Sequence, residues 1–266
     1  MTHPRRAIIF LAWGESYIRE VLRCLGEGAL PDYDTFLITD HASEVPASRL
    51  AVIRADFWTH GRLRKTELMD FLPPGYQSYL FLDSDTRVIS DIDSGFSKAE
   101  AHGIAVSPAP HYSLDHFWGF GKIMEAEGVR KSGQLQYNTG VIFFSLTDET
   151  RRAFRLWREL GRKYVNSAFS DQPFFTLAME KSNFSPYTLS PSYNYRGFGD
   201  SISGIVRIWH SHQEMPENIN QFECAWPPRR VINGRVIYPK RARRSRVIRR
   251  LRYFMLELKR RIYGSD

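Results

Sequence analysis

Short, nearly unbroken apolar runs alternate with stretches of helical spacing over the first 145 positions of the chain. Ala7-Ile8-Ile9-Phe10-Leu11-Ala12-Trp13 is the first such run and reads as a strand buried on both faces. A turn at Gly14-Glu15-Ser16-Tyr17 follows, then an amphipathic helix with Ile18, Val21, Leu22 and Leu25 on one face. Residues 35–39 and 50–53 predict two more strands. A helix is expected over 62–72, stopped by Pro73-Pro74-Gly75, and 79–82 gives a fourth strand. Further on, 137–145 predicts a strand led by an Asn138-Thr139-Gly140 turn, and 150–164 a helix with Phe154, Leu156, Trp157 and Leu160 as its stripe. Ser170 or Asp171 is placed to cap a short helix that begins near Gln172-Pro173. A late strand over 205–209 delivers His210 and His212 at its end. Strands alternating with helices in this way predict an α/β fold with a mostly parallel central sheet flanked by helices.

Residues 107–136 resist this reading. Pro108, Pro110, His111, Tyr112, His116, Trp118, Gly119 and Gly121 suit either a loop that lines a binding site or one that packs its aromatics on the core.

Composition changes the picture little for the body of the chain. A length of 266 residues, 42% hydrophobic and 25% charged, suits one globular domain. The net charge of +8 is uneven: eleven Lys and Arg, against Glu257 and Asp266, lie in 240–266, which leaves the rest near neutrality. The basic character therefore belongs to the tail and argues for no nucleic-acid cleft in the body. Two cysteines, Cys24 and Cys224, form neither a disulfide framework nor a zinc spacing and fit a reducing, cytosolic setting. The first apolar run is too short to span a bilayer.

The chemistry concentrates at Tyr79-Leu80-Phe81-Leu82-Asp83-Ser84-Asp85-Thr86. An apolar strand that ends in two carboxylates one residue apart sets Asp83 and Asp85 at the mouth of the crevice where open α/β sheets bind ligands. Such oxygens suit Mg²⁺ or Mn²⁺, which complete their shells with water and substrate phosphates. A D-x-D string also arises by chance in turns. A second chemistry, phosphate-ester hydrolysis with the first Asp as nucleophile, uses a similar string, but Arg87 stands at its fifth position and no later Lys and paired-Asp segment follows. His210, at another strand end, is a candidate third ligand.

The ordered set of Glu15 and Tyr17 after the opening strand, Arg62 ahead of Glu67-Leu68, Phe81 to Thr86, Asn138-Thr139-Gly140-Val141, Asp171-Gln172 and His210 resembles a family. It is similar to the retaining GT-A glycosyltransferases of the family 8 type, which include bacterial lipopolysaccharide galactosyltransferases and glycogenin. The resemblance implies a GT-A, Rossmann-like domain over 1–239 that transfers a hexosyl group from a nucleotide sugar, a UDP-sugar, to a glycan or lipid-linked acceptor. It implies Mn²⁺ or Mg²⁺ held by Asp83, Asp85 and His210. Donor contacts are implied for Ala12, Glu15, Tyr17, Arg62, Lys65, Asp83, Ser84, Asn138 and Thr139, and catalytic contacts at the transferring sugar for Asp171 and Gln172. Family members follow the metal-binding His with a Gly and a Lys-Pro-Trp, whereas His210 is followed by Ser211-His212-Gln213-Glu214-Met215-Pro216. The diphosphate contacts, and the choice between His210 and His212, stay open. Glu15 replaces the more usual Asp.

In the tail, Val247, Ile248, Leu251, Phe254, Met255, Leu258 and Ile262 recur at helical spacing among Arg and Lys. A basic amphipathic helix over 240–266 is expected, with 243–263 resting on an anionic membrane surface at the cytoplasmic face. Docking on the body, an acidic partner or nucleic acid are the alternatives, and a non-catalytic protein led by this tail is the reading furthest from an enzyme.

Overall fold

The computed structural model describes residues 5–28, 33–41, 50–130, 133–166, 170–197, 202, 204–216, 219, 231–232 and 235–236. The expected basic helix at 240–266 and Cys224 lie outside the described residues. Seven strands form the main sheet: β1 (Arg6–Ala12), β2 (Asp34–Thr39), β3 (Ala51–Arg54), β4 (Ser78–Leu82), β6 (Ile104–Ser113), β7 (Leu135–Ser145) and β8 (Tyr187–Thr188). Their order is β3-β2-β1-β4-β7-β6-β8. The pairs from β3 to β4 and the pair β6–β8 are parallel; β4–β7 and β7–β6 are antiparallel. β5 (Thr86–Val88) pairs antiparallel with β9 (Ile208–His210) in a separate ribbon, and β10 (Val231–Ile232) pairs with β11 (Arg235–Val236).

Alternation along the central strands divides the core in two. Ala7, Ile9 and Leu11 of β1, Tyr79 and Phe81 of β4, and Ile142 and Phe144 of β7 face one layer. There they meet α4 (Asp148–Lys163) and α5 (Gln172–Ser182) through Phe154, Trp157, Phe174 and Phe175. Ile8, Phe10, Leu80, Leu82, Val141 and Phe143 face the other layer, against α1 (Gly14–Glu27) and α2 (Asp93–His102) through Ile18, Val21, Leu25 and Phe96. Burial on both faces explains why β4 reads as a continuous apolar run. Each of its large side chains contributes roughly 1.5–3 kcal/mol by leaving water.

Three expectations change. The helix expected at 62–72 is a 3-10 segment, Gly61–Phe71, that buries Leu63 and the consecutive Lys65, Thr66, Glu67 and Leu68. Four neighbouring residues cannot share the single stripe of an amphipathic α-helix. Asn138-Thr139-Gly140 is not a turn but part of β7. At 11 residues β7 is longer than β4, so its first half overhangs the end of β4. The late strand is only Ile208–His210 and joins β5 rather than the main sheet. The puzzling stretch 107–136 resolves into the end of β6, a turn, α3 (Gly121–Ala126) and the start of β7.

Candidate active site

The residues singled out at the end of β4 converge through backbone bonds. The Asp83 N–H donates to the Gly140 carbonyl at 2.9 Å, and the Thr86 N–H and hydroxyl both donate back to the Asp83 carbonyl at 3.2 and 2.6 Å. This tight turn sends β5 away from the sheet edge, where Thr86 pairs with His210. One ligand atom each from Asp83, Asp85 and His210 lie within 4.8 Å of one another. His210 Nε2 is 3.3 Å from Asp85 Oδ1 and 3.7 Å from Asp83 Oδ2. Its Nδ1 lies 2.6 Å from Asn194 Oδ1, which makes Nδ1 a donor and turns Nε2 toward the carboxylates, where it can carry either a proton or a metal ion.

Gly140 makes this approach possible. A Cβ there would lie 2.1 Å from His210 Cε1, so only glycine lets the imidazole rest on the strand backbone. Two oxygen donors and a nitrogen lone pair aimed at one point fit a divalent cation that completes its shell from substrate.

Cationic and imidazole groups offset part of the negative charge around this point. The Lys65 ammonium, almost wholly buried, lies 2.7 Å from the Asp83 carboxylate and 3.8 Å from that of Asp171. Burial alone would lower the Lys65 pKa, but Asp171, Asp83 and Asp85 together raise it. Burial pushes the Asp83 carboxyl up, against the pull of Lys65 and His210. Burial acts on Asp85 in the same sense and loses: the charge and hydrogen bond of His210, with His212 beyond, hold its carboxyl well below the usual range. His212 Nε2 is 3.6 Å from Asp85, and its Nδ1 is 2.6 Å from Glu20 Oε1. Burial would lower the His212 pKa, yet Glu20 and Asp85 raise it above the ordinary imidazole value.

Glu20 also accepts from the Ser84 hydroxyl at 3.0 Å, so α1 holds both the middle residue of the D-x-D turn and the segment after His210. Arg87, buried in β5, bonds Glu27 at 2.5 Å and the Ser211 carbonyl at 3.1 Å.

Asp171 precedes α5, but its side chain caps nothing. Its carboxylate instead accepts from the Thr139 hydroxyl at 2.7 Å, and its carbonyl accepts from the Trp157 indole at 3.0 Å. Helix capping therefore does not account for Asp171. The Gln172 amide donates to Gln136 Oε1 at 3.0 Å, while Gln136 Nε2 is buried without a partner. The Asn138 side chain accepts from the Gly140 N–H at 2.9 Å.

These groups line one cleft of about 620 Å³. Tyr17, Arg62, Lys65, Asp83, Ser84, Asp85, Asn138, Thr139, Asp171, Gln172 and His210 all border it. Ala12 is buried at the end of β1, and Glu15 pairs with Arg19 at 2.8 Å on the exposed side of α1; neither borders the cleft. The rings of Trp13 and Tyr17 lie 4.8 Å apart at one end. At Gly14, φ of 68° frees the N–H to donate to Asp40, which also binds Arg64 beneath Trp13. Asn194, Gln136, Glu20 and Arg196 were not foreseen. The partners of Asn194, Gln136 and Glu20 in this region, His210, Gln172, and Ser84 with His212, are distant in sequence, and no local period encodes such pairings.

By sequence, the chain matches no family model and no curated protein. By structure it is similar to the galactosyltransferase LgtC in complex with donor and acceptor sugar analogs: TM-score 0.55, 13% identity, 78% of this chain and 87% of the other. Mouse xyloside xylosyltransferase 1 in its apo form gives TM-score 0.53 and 13% identity over 79% of this chain and 99% of the other. The glycosyltransferase GlyE of Streptococcus pneumoniae TIGR4 gives 0.52 and 16% over 85% of this chain and 58% of the other. With its sheet order and the cleft at the end of β4, the chain has the Rossmann-like GT-A fold of these glycosyltransferases.

Proposed function

We propose that the protein is a metal-dependent glycosyltransferase that moves a sugar from a nucleotide-sugar donor, a UDP-sugar, to a glycan or lipid-linked acceptor with retention of configuration. The observation that carries this reading is the cluster of Asp83, Asp85 and His210 inside a cleft bordered by Lys65, Asp171 and Gln172. Asp83, Asp85 and the His210 Nε2 would hold Mn²⁺ or Mg²⁺. A cation bound there supplies Lewis-acid stabilisation of the charge that develops on the departing nucleoside diphosphate.

In this reading Trp13 and Tyr17 take the base, with Ala12 and Glu15 beneath and beside them and Arg62 near the donor. Ser84, Asn138 and Thr139 shape the floor. Asp171, held by Thr139 and Lys65, and Gln172, held by Gln136, face the transferring sugar. An acceptor hydroxyl oxygen bonds to the anomeric carbon as the sugar–phosphate bond breaks, and its proton leaves with the diphosphate. Glu20 keeps Ser84 and the 211–213 segment in place. The lack of a lysine after His210 is met by cations from elsewhere in the chain: Lys65 and Arg196 border the cleft. The basic composition of 240–266 supports a peripheral position on an anionic, cytoplasmic-face membrane, where a lipid-linked acceptor would be met. No helix among the described residues is long and apolar enough to cross a membrane.

Thermal-shift titration with UDP and UDP-sugars, with and without Mn²⁺ or Mg²⁺, tests the reading, because a bound ligand raises the melting temperature by mass action. The parent protein is expected to be stabilised by UDP only with metal. Asp85→Ala is expected to lose that stabilisation while staying folded. Metal-dependent UDP binding that survives Asp85→Ala would show the site to be misassigned. A parallel comparison of His210→Ala with His212→Ala identifies the imidazole that serves.

A further inference from the structure

Three buried side-chain nitrogens among the described residues have no hydrogen-bond partner: Arg87 Nη2, Gln136 Nε2 and Asn194 Nδ2. Such groups are rare in a folded chain, and each calls for a reason. None of the three residues borders the cleft, yet each holds one that does: Arg87 the Ser211 carbonyl, Gln136 the Gln172 amide, and Asn194 the His210 ring. Asn194 alone of them touches the Asp83–Asp85–His210 cluster.

The backbone asks for no asparagine at 194. Its φ of −155° is extended and open to any residue. The side chain is 4% exposed, and among the described residues it bonds His210 alone. A buried amide whose N–H pair is left unmet serves here through its carbonyl.

That carbonyl completes a three-sided seat for the ring. The His210 N–H donates to the Tyr195 carbonyl at 2.9 Å, its Cε1 rests on Gly140, and its Nδ1 lies 2.6 Å from Asn194 Oδ1. The segment that carries Asn194 is itself tied to β9 and the residue before it. The Arg207 N–H donates to the Ser192 carbonyl at 2.8 Å, and the Tyr195 N–H to the Ile208 carbonyl at 3.0 Å. Asn194 is thus delivered to the ring by the backbone.

Which imidazole nitrogen takes a metal is set by what the other one binds. Acceptors stand on both sides of this ring. Asp85 Oδ1 and Asp83 Oδ2 lie 3.3 and 3.7 Å from Nε2, both farther than Asn194 Oδ1 lies from Nδ1. In a neutral ring, a proton drawn to Nε2 would occupy the place that a cation needs.

We propose that Asn194 is a positioning residue: its side-chain carbonyl holds a proton on His210 Nδ1 and so reserves Nε2 for the divalent cation. The proposal rests on the metal site of the preceding subsection and adds the residue that makes His210 fit to serve it.

The test has two arms, both on the full chain. In the metal-free parent, NMR of the imidazole nitrogens, with His210 assigned by its loss in His210→Ala, is expected to show a proton on Nδ1. A bare Nδ1 would mean that Asn194 donates to the ring, and would overturn the proposal. This arm needs no variant at 194 to fold. In the second arm Mn²⁺ is titrated into the parent, Asn194→Leu and Asn194→Asp, with the free ion followed by EPR. Asn194→Leu is expected to weaken Mn²⁺ binding about tenfold or more, whereas Asn194→Asp, which keeps an oxygen on Nδ1, is expected to hold most of the affinity. Parent affinity in Asn194→Leu, or an equal loss in Asn194→Asp, would overturn the proposal and leave the metal site standing. Mn²⁺ binding that is absent from the parent, or unchanged by His210→Ala, removes the underlying reading along with this one.

Discussion

The two sides of the sheet build the cleft in different ways. On the side of β1, β2 and β3 every pairing is parallel, and residues reach the cleft from strand ends and the segments directly after them, such as Trp13, Asp83 and, in the first turn of α1, Tyr17. On the side of β7 and β6 the chain runs antiparallel to β4, and residues reach the cleft from within a strand, such as Asn138, Thr139 and Gly140. A parallel strand offers the cleft only its C-terminal end. An antiparallel strand that overhangs its neighbour offers a row of side chains and a bare backbone edge, and here that edge carries the His210 ring. The turn after β1 can change without moving the ligand cluster, whereas the second half cannot accept even one Cβ at Gly140.

Lys65 is the strongest link between the halves, since it touches Asp83 from one and Asp171 from the other. Lys65→Met should destabilise the metal-free protein by about 3–5 kcal/mol in urea unfolding, because two buried carboxylates lose their cation. Added Mn²⁺ should restore part of the loss, and a stability unchanged by the substitution would show that the halves are not joined there.

Gln172→Ala should lower turnover on the order of a hundredfold while the melting temperature barely moves, as expected for a group that positions substrate. Equal turnover by variant and parent would return Gln172 to a structural role beside Gln136. Gly140→Ala should cost about 1–3 kcal/mol through overpacking and should also displace His210 and weaken Mn²⁺ binding. The substitution of Gly14, which has nothing within 4 Å of an added Cβ, should leave metal binding intact and act only through its positive φ. Equal metal affinity for both glycine variants would break the contrast between the halves.

The smallest effect belongs to a site away from the cleft. Glu127, at the end of α3, meets Lys163, Lys181 and Tyr164 at 2.7, 2.5 and 2.8 Å. Burial opposes the charged form, but these partners outweigh it and hold the carboxyl down to about 2 from an ordinary value of 4.5. A depressed carboxyl stabilises the fold above its unfolded pKa and loses that contribution as pH falls toward the folded value. Stability should therefore decline between about pH 5 and pH 2, by about 1 kcal/mol from this group once solvent screening of the exposed Lys163 is allowed for. Glu127→Gln should flatten that part of the profile, and an identical acid profile in the variant would assign the decline to other carboxyls.

Hydrophobic spacing alone determined the α/β class, the strands from β1 to β4, the helices α1 and α4 with their buried stripes, and the D-x-D turn at the end of β4. These are local properties, written within a few turns of chain. Residue order, through its family resemblance, also pointed to Lys65, Asp171, Gln172 and His210. Tertiary structure decided the rest: that Asn138-Thr139-Gly140 is strand and not turn, that Asp171 binds Thr139 rather than its own helix, and that His210 arrives through a ribbon with β5. It also brought Asn194, Gln136 and Glu20 to their places. A side chain's direction on a strand depends on register with a partner that can lie more than a hundred residues away, as Thr86 and His210 do, and no local period encodes that pairing.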